Sequence, residues 1–488
     1  MLKMKEKMDI TAIKDRRVVV VGLQRSGLGA ANLLSYLGAK VSVTDRKPSN
    51  SLVSYIQRLD KSIRIITNGH PDHLFYEADL VVVSPGVPLN IPPLVNAHMR
   101  GIPVIGELEL AYQVVTSGML RSIDELHKHR VPHFIGITGT NGKSTTTTLV
   151  DLMLKKAGFK SLLAGNIGNA LTEEISNLKS QISNLEFIVA EVSSFQLESI
   201  KAFRPWISAI LNITPDHLNR YKDMEQYINA KVRIFENQCE EDYLVLNADD
   251  QILKVKSEKL QVRKGRPKVL YFSREREVEG VYLRDGMIYC NLPEQPLAPG
   301  SLPLISQNEI RVRGVHNLEN AMASSLVALL CGVPVDAIRD ALKGFRGLEH
   351  RLEFVGKIDD ISFINDSKGT NTGAVMKSLE GLERVILIMG GMDKGEDFSV
   401  LRDIVDKKVK ALILLGEARD RIRKALAGVA ETFMVGDLEE AVRVSLSLAS
   451  AGDTVLLSPG CASFDMFNDF EDRGRRFKEV VKEIGKTL

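Results

Sequence analysis

The sequence predicts an α/β protein of three domains. A Rossmann-like N-terminal domain is followed by a central P-loop ATPase-like domain with a small antiparallel insertion, then by a C-terminal Rossmann-like domain. Three observations predict this. Short apolar runs alternate with helix-patterned stretches along nearly the whole chain, as parallel sheets with helices on both faces require. Glycine turns follow several of those runs directly, as in "VVVVGLQRSG" and "GITGTNGKST". At 488 residues the chain is too long for one ordinary core.

The first region, residues 1–112, opens with the strand-like "RRVVVVGL", a glycine turn, and a helix around "AANLLSYLG". A second strand, "KVSVTD", ends at Asp45, and "DLVVVSPG" and "IPVIGELEL" continue the alternation. The turn Gly22-Leu-Gln-Arg-Ser-Gly27 is like a dinucleotide fingerprint, but Gln24 stands where the middle glycine belongs. That glycine lets the backbone approach a pyrophosphate, so a side chain there counts against a nicotinamide dinucleotide in the usual pose. Asp45 is placed to bind a sugar hydroxyl or a base edge; the other reading is a purely structural turn.

The second region, 113–347, starts with a polar connector, "RSIDELHKHRVP", and carries "TGTNGKSTTTT", Thr138 to Thr148. An apolar run, "HFIGI", precedes it, and Leu149, Leu152, Met153 and Lys156 follow at helical spacing. Strand, glycine turn and helix form the context of a phosphate loop, with main-chain N–H groups and a helix N-terminus facing the anion. Lys143 adds charge, and Ser144 is placed to reach a magnesium ion. The loop is a compact variant: the first glycine of the common motif would fall at 137, which is Ile137, and sits at Gly139 instead. A merely flexible turn is the alternative. Glu191 ends the strand "FIVAE", where a magnesium-binding carboxylate sits in such domains, although an ordinary strand end looks the same. His217 follows the strand "ISAILNI", and Lys231 lies in "YINAK", where a solvated lysine is the default. Residues 257–312 are poor in helix signals and read as the antiparallel insertion; the helix around "NLENAMASSLVALLCG" closes the region.

The third region, 348–488, alternates "ISFINDS", "RVILIMGG", "KALILLG" and "DTVLLSPG" with helical stretches.

Composition narrows the classes. A net charge of +2 gives no sign of bulk nucleic-acid or membrane binding. The four cysteines form no C-x-x-C pair, which argues for a reducing compartment and against structural zinc. "MLKMKEKMDI" lacks the apolar core of a signal peptide, and no apolar run approaches ~18 residues, so a cytoplasmic protein is expected.

The motifs "GITGTNGKST", "AGNIG", "AEVSSFQLE", "LNITPDHLNRY…YINAK", "GVHNLENAMA", "EHRLE", "NDSKGTN", "GGMDKGEDF" and "LLSPGCASFDMF" together resemble the Mur ligases of peptidoglycan synthesis. They occur in family order and span nearly the whole chain. The Rossmann-like first domain, "NDSKGTN" and "SPGCASFD" resemble the D-glutamate-adding branch. The resemblance implies an ATP-dependent ligase that adds D-glutamate to UDP-N-acetylmuramoyl-L-alanine through an acyl phosphate. Its partners would be small molecules, and a monomer is expected.

The resemblance also implies roles. Gly139, Thr140, Asn141, Gly142, Lys143, Ser144 and Thr145 would hold the ATP phosphates, with Asn317 and Asn320 on the adenine side and Arg351 and Asp366 at nucleotide positions of the third domain. Two Mg²⁺ ions would be bound, one by Ser144 and Glu191 and the second by His217. Lys231 matches the lysine that the family carbamylates, turning a cation into an oxygen ligand. Arg25, Ser26, Asp45, Arg46 and Gly86 match the uridine-diphosphate site, and Asn166 matches a residue that touches the muramoyl substrate. Lys368, Thr370, Lys394, Ser463 and Phe470 match the D-glutamate pocket. Arg25, Arg46 and Lys47 depart from the usual residue types of the diphosphate contact. A folate polyglutamylating ligase would lack the first domain. A dehydrogenase is weakened by Gln24, and a binding protein with a dead ATP site by the intact Lys143, Ser144, Glu191, His217 and Lys231.

Overall fold

The computed structural model describes residues 9–120, 131–216, 220–254, 265–292, 302–312, 314–393 and 395–487. The chain divides into two compact units, Met1–Phe345 and Arg346–Leu488.

The first unit contains two sheets. Strands β1 (Arg17–Val21), β2 (Lys40–Thr44), β3 (Arg64–Ile66), β4 (Leu80–Val83) and β5 (Val104–Gly106) form a parallel sheet in the order β3-β2-β1-β4-β5. Helices cover both faces of such a sheet, so its central strands read as unbroken valine runs, and all four residues of β4 are buried. The order reverses between β1 and β4, which opens a crevice at their carboxyl ends.

The second sheet has nine strands: β6 (His133–Thr138), β7 (Ser161–Gly165), β8 (Phe187–Glu191), β9 (Ile207–Ile210), β10 (Tyr243–Asn247), β11 (Lys268–Ser273), β12 (Gly280–Arg284), β13 (Met287–Asn291) and β14 (Leu302–Ser306). Their order is β14-β13-β12-β11-β10-β9-β6-β8-β7. The phosphate-loop strand β6 therefore lies between β9 and β8. The antiparallel pieces expected near 257–312 are present, but as an extension of this sheet: β12 pairs with β11 in parallel, and β13 and β14 follow antiparallel.

The two sheets share one apolar core, from Val18 and Leu33 through Leu108 and Phe134 to Leu171 and Ile188. Two acids sit inside that core, on the helix Glu107–Ser117 that follows β5. Glu109 accepts the main-chain N–H groups of Lys201, Ala202 and Phe203 at 2.8, 2.8 and 3.0 Å. Glu107 accepts the amide and hydroxyl of Thr172 at 2.7 and 2.8 Å. Buried carboxyls survive only with such donors, and here the donors come from the second sheet's connections.

The second unit is one six-stranded sheet. Strands β15 (Glu353–Ile358), β16 (Ile361–Asn365), β17 (Val385–Gly390), β18 (Val409–Leu415), β19 (Glu431–Met434) and β20 (Thr454–Leu457) are ordered β15-β16-β20-β17-β18-β19. Only β15 runs antiparallel to its neighbour. Separate apolar clusters fill the two faces. The helix Phe470–Thr487 covers one of them with Phe477, Val480, Val481 and Ile484. No helix among the described residues is long and apolar enough to cross a membrane.

Candidate active site

The phosphate loop joins β6 to the helix Lys143–Lys156. Gly142 caps that helix with φ +82°, and a Cβ there would lie 2.2 Å from the Asn320 side-chain oxygen, so only glycine fits. Asn320 also accepts the Thr146 hydroxyl at 3.2 Å, which ties the loop to the helix Val315–Leu330 that carries Asn317. On the other side the loop is clamped to the chain after β9. Thr140 N–H donates to the Asn212 carbonyl at 2.9 Å, and Asn141 N–H to the Asn212 side chain at 2.8 Å. The Thr140 hydroxyl lies 3.2 Å from the Thr214 carbonyl and 3.0 Å from the Tyr227 phenol.

Two lysines converge on one carbonyl of this loop. Lys143 Nζ donates to the carbonyls of Gly139 and Thr140 at 2.9 and 2.8 Å. Lys231 Nζ donates to the same Gly139 carbonyl at 2.8 Å. Lys231 is not the solvated lysine that its helix pattern suggests: it is 2% exposed, with its ammonium 4.7 Å from the Tyr227 ring centre. Burial, joined by the Lys143 charge, pushes it well below the ordinary lysine value, against the pull of Asp216 and Glu191.

Glu191 ends β8 beside the loop, paired in register with Ile137. Asn166 Nδ2 donates to its Oε1 at 2.7 Å, while Oε2 is enclosed without a hydrogen-bond partner. A buried carboxylate oxygen left open suits a hard cation, and the Ser144 hydroxyl, buried at the start of the next helix, is a second oxygen donor. Among the described residues no three His, Cys, Asp or Glu side chains gather as a closed metal cage. Magnesium needs none, because one or two carboxylates plus substrate phosphates hold it. His217 lies outside the described residues.

The turn after β1 lies at the carboxyl end of the first sheet's central strand. Gly27 is required there, because a Cβ would meet the Gly22 carbonyl at 1.8 Å. The Ser84 hydroxyl donates to that carbonyl at 2.8 Å, bringing the β4 loop that carries Gly86 against the turn. Asp45 already spends both oxygens on the main chain, accepting Leu23 N–H at 2.7 Å and Lys47 N–H at 2.8 Å. It shapes the turn first. Ser26 is half-buried in the first turn of the helix, and Arg46 is exposed. Arg25 reaches farthest: its Nη1 donates to the Gly168 carbonyl at 2.8 Å. A continuous line of contacts thus runs from Arg25 through the loop of Gly168 and Asn166 to Glu191.

The second unit gathers a separate set. Asp366, 4% exposed at the end of β16, accepts the Ser378 and Ser458 hydroxyls at 2.7 and 2.8 Å. Burial pushes its carboxyl up, opposed by those hydroxyls and by the Arg351 charge. Lys368 N–H donates to the His350 carbonyl at 3.0 Å, its Nζ lies 5.4 Å from the Phe470 ring, and Thr370 N–H donates to the Lys368 carbonyl at 2.9 Å. Ser463 is buried after β20. Lys394 lies outside the described residues.

Pattern reading missed Asn212, Thr214 and Tyr227. Each carried a signal, since Asn212 and Thr214 lie in "LNITPDHLNRY" and Tyr227 opens "YINAK", one helical turn before Lys231.

Three family models match consecutive stretches of the chain: "Mur ligase MurD-like, N-terminal domain" over residues 16–106, "Mur ligase middle domain" over 137–328, and "Mur ligase, glutamate ligase domain" over 350–461. The chain is 41% identical to the UDP-N-acetylmuramoylalanine--D-glutamate ligase of Clostridioides difficile (strain 630) over 478 residues, 97% of this chain and 99% of that one. It is 41% identical to the protein of the same name from Geotalea daltonii over 476 residues, covering 97% and 98%. Among solved structures, the UDP-N-acetylmuramate-alanine ligase of Thermotoga maritima shares the fold at a TM-score of 0.55 and 20% identity, covering 96% of this chain and 100% of that one.

Proposed function

The chain belongs to the Mur ligase family, among the UDP-N-acetylmuramoylalanine--D-glutamate ligases, and we propose that it joins D-glutamate to UDP-N-acetylmuramoyl-L-alanine with cleavage of ATP to ADP. The observation that carries this reading is the line from the nucleotide turn at Arg25 to Glu191 beside the phosphate loop, within one compact unit. A nucleotide sugar held at the turn has its far end led toward the ATP phosphates.

The L-alanyl carboxylate attacks the γ-phosphorus, the bond to the bridging oxygen breaks, and ADP leaves an acyl phosphate. The amine of D-glutamate, as free base, then attacks the acyl carbon, the nitrogen gives up one proton, and the tetrahedral intermediate expels inorganic phosphate, which leaves with a proton as hydrogen phosphate. Two anions meet in the first step, so Lys143 and the loop amides must offset their repulsion and the charge of the transition state. Ser144 and Glu191 would hold one magnesium ion and His217, with the Lys231 carbamate, a second; when bound, the ions would supply further positive charge at the phosphates. The depressed Lys231 amine supports the carbamate, because only the neutral amine adds to CO₂, releasing a proton.

The division of labour follows the three regions: 1–112 for the UDP end, 113–347 for ATP, and 348–488 for D-glutamate through Lys368, Thr370, Lys394, Ser463 and Phe470. Asn317, Asn320, Arg351 and Asp366 serve the nucleotide. The protein acts in the cytoplasm, as a monomer, on small molecules alone. Phosphate release with ATP and UDP-N-acetylmuramoyl-L-alanine should depend on D-glutamate and stay near background with L-glutamate or L-alanine. Equal turnover with L-glutamate would overturn the substrate assignment.

A further inference from the structure

The strongest unassigned feature is Arg473, in the first turn of the helix Phe470–Thr487 and 2% exposed. Its Nε donates to the Ser367 hydroxyl at 3.0 Å, and Nη2 to the Ser367 carbonyl at 2.9 Å and the Cys461 carbonyl at 3.2 Å. Nη1 donates to the carbonyls of Cys461 and Ala462, both at 3.3 Å. Every one of these acceptors is a neutral oxygen. Burial holds the guanidinium down at about 10, with Asp465 and Asp366 pulling the other way.

What those oxygens belong to gives the arginine its meaning. Ser367 lies in the loop after β16, between Asp366 and Lys368, and its hydroxyl donates to the Phe470 carbonyl at 2.8 Å. Cys461 and Ala462 lie in the loop after β20, directly before Ser463. The Ala462 carbonyl also accepts the Met392 N–H at 2.9 Å, from the loop after β17. Strands β16, β20 and β17 are neighbours in the sheet. One planar cation therefore ties together two strand-end loops, those after β16 and β20, and each bears residues of the candidate amino-acid pocket. A planar fork of five N–H donors does this; a lysine ammonium, with three donors on a flexible stem, cannot span the same set.

We propose that Arg473 is a positioning residue for the amino-acid substrate, holding the loops of Lys368 and Ser463 at the spacing that a dicarboxylate needs. This rests on the D-glutamate pocket proposed above. An arginine that merely supported the fold would affect all substrates alike. One that sets this spacing should act on one substrate.

The test uses Arg473→Lys in the full chain, with each substrate varied at saturating levels of the others. The Michaelis constant for D-glutamate should rise by about tenfold or more, while those for ATP and UDP-N-acetylmuramoyl-L-alanine stay within about twofold. Ser367→Ala removes one hydroxyl of the same network and should raise the D-glutamate constant by about threefold; it decides the matter if Arg473→Lys does not fold. Ser463→Ala, measured alongside, separates the two ideas. If Ser463→Ala raises the D-glutamate constant and neither Arg473→Lys nor Ser367→Ala does, the positioning role is wrong and the pocket stands. If all three leave it unchanged, the pocket is wrong and the inference falls with it. Parallel rises for ATP and D-glutamate would also overturn it, by showing general support of the fold.

Discussion

The chain buries a cation at the carboxyl ends of two different sheets, and the two are satisfied in opposite ways. Arg473 distributes its donors over four neutral oxygens of Ser367, Cys461 and Ala462. Lys231 shares a single carbonyl, that of Gly139, with a second lysine. The first arrangement is complete within the protein. The second concentrates positive charge at a loop of main-chain N–H groups, and the attraction that would balance it comes from Glu191, Asp216 and whatever anion the loop receives. On the roles proposed, a cation that organises loops takes its acceptors from the fold, and a cation that serves chemistry faces the substrate's charge.

The contrast breaks first at Lys143. If its charge is completed by the transferring phosphate, Lys143→Ala should lower turnover by ~10²-fold or more, with the circular dichroism spectrum and UDP-substrate affinity unchanged. A variant keeping half the wild-type rate would place the phosphate elsewhere.

Lys231 sharpens the comparison because activity and stability should part company. Lys231→Ala should lose turnover by about 10²-fold, and acetate should restore part of it by returning the carboxylate oxygens of the carbamate, whereas Lys231→Met, which keeps the buried volume, isolates the effect on stability. Its folded pKa is depressed, so in CO₂-depleted buffer the unfolded chain binds more protons than the native one, and wild-type stability rises with pH as this amine deprotonates. Removing the amine should therefore leave the melting temperature at neutral pH equal or higher. A large drop would show that the lysine supports the fold.

The difference between the two cations also marks what the sequence could say. The phosphate loop was legible because its glycines, lysine and serine are demanded by one local turn, and Glu191 because a strand end is a local feature. The burial of Lys231 was not, since "MEQYINAKV" has the polar face of a surface helix; its contacts with the Gly139 carbonyl and the Tyr227 ring are tertiary. Arg473 hid in the charged run "FEDRGRRFKE". Its spacing to Phe477, Val480, Val481 and Ile484 puts it on the apolar stripe, a signal that a run of four basic residues obscures. The three-layer alternation gave the fold class, yet the continuation of the nine-stranded sheet through Tyr271 and Gly280 depends on a pairing that no local pattern encodes.

The third test compares direct contact with support. Lys394→Ala should raise the D-glutamate constant by about tenfold or more and Ser463→Ala by a few-fold, because a charged partner of a carboxylate outweighs a hydroxyl. ATP constants should hardly move. A Lys394 variant that weakened only ATP would reassign that loop to the nucleotide.

The smallest expected effect reverses the sign of the charge. Glu107 is a buried acid in the first unit, bonded to Thr172 through one oxygen while the other has no hydrogen-bond partner. Burial pushes its carboxyl up from the ordinary value of 4.5, against the lowering pull of the Thr172 bonds. The native protein then binds more protons than the unfolded chain between 4.5 and the raised folded value. The contribution is fully present below 4.5 and is lost as pH rises through the folded value, opposite to the Lys231 case. Glu107→Gln keeps an oxygen for Thr172 but cannot ionise. Melting temperatures across pH 5 to 8 should show the variant gaining on the wild type as pH rises, by about 1–4 °C. A constant offset across that range would mean that Glu107 stays ionised in the native core.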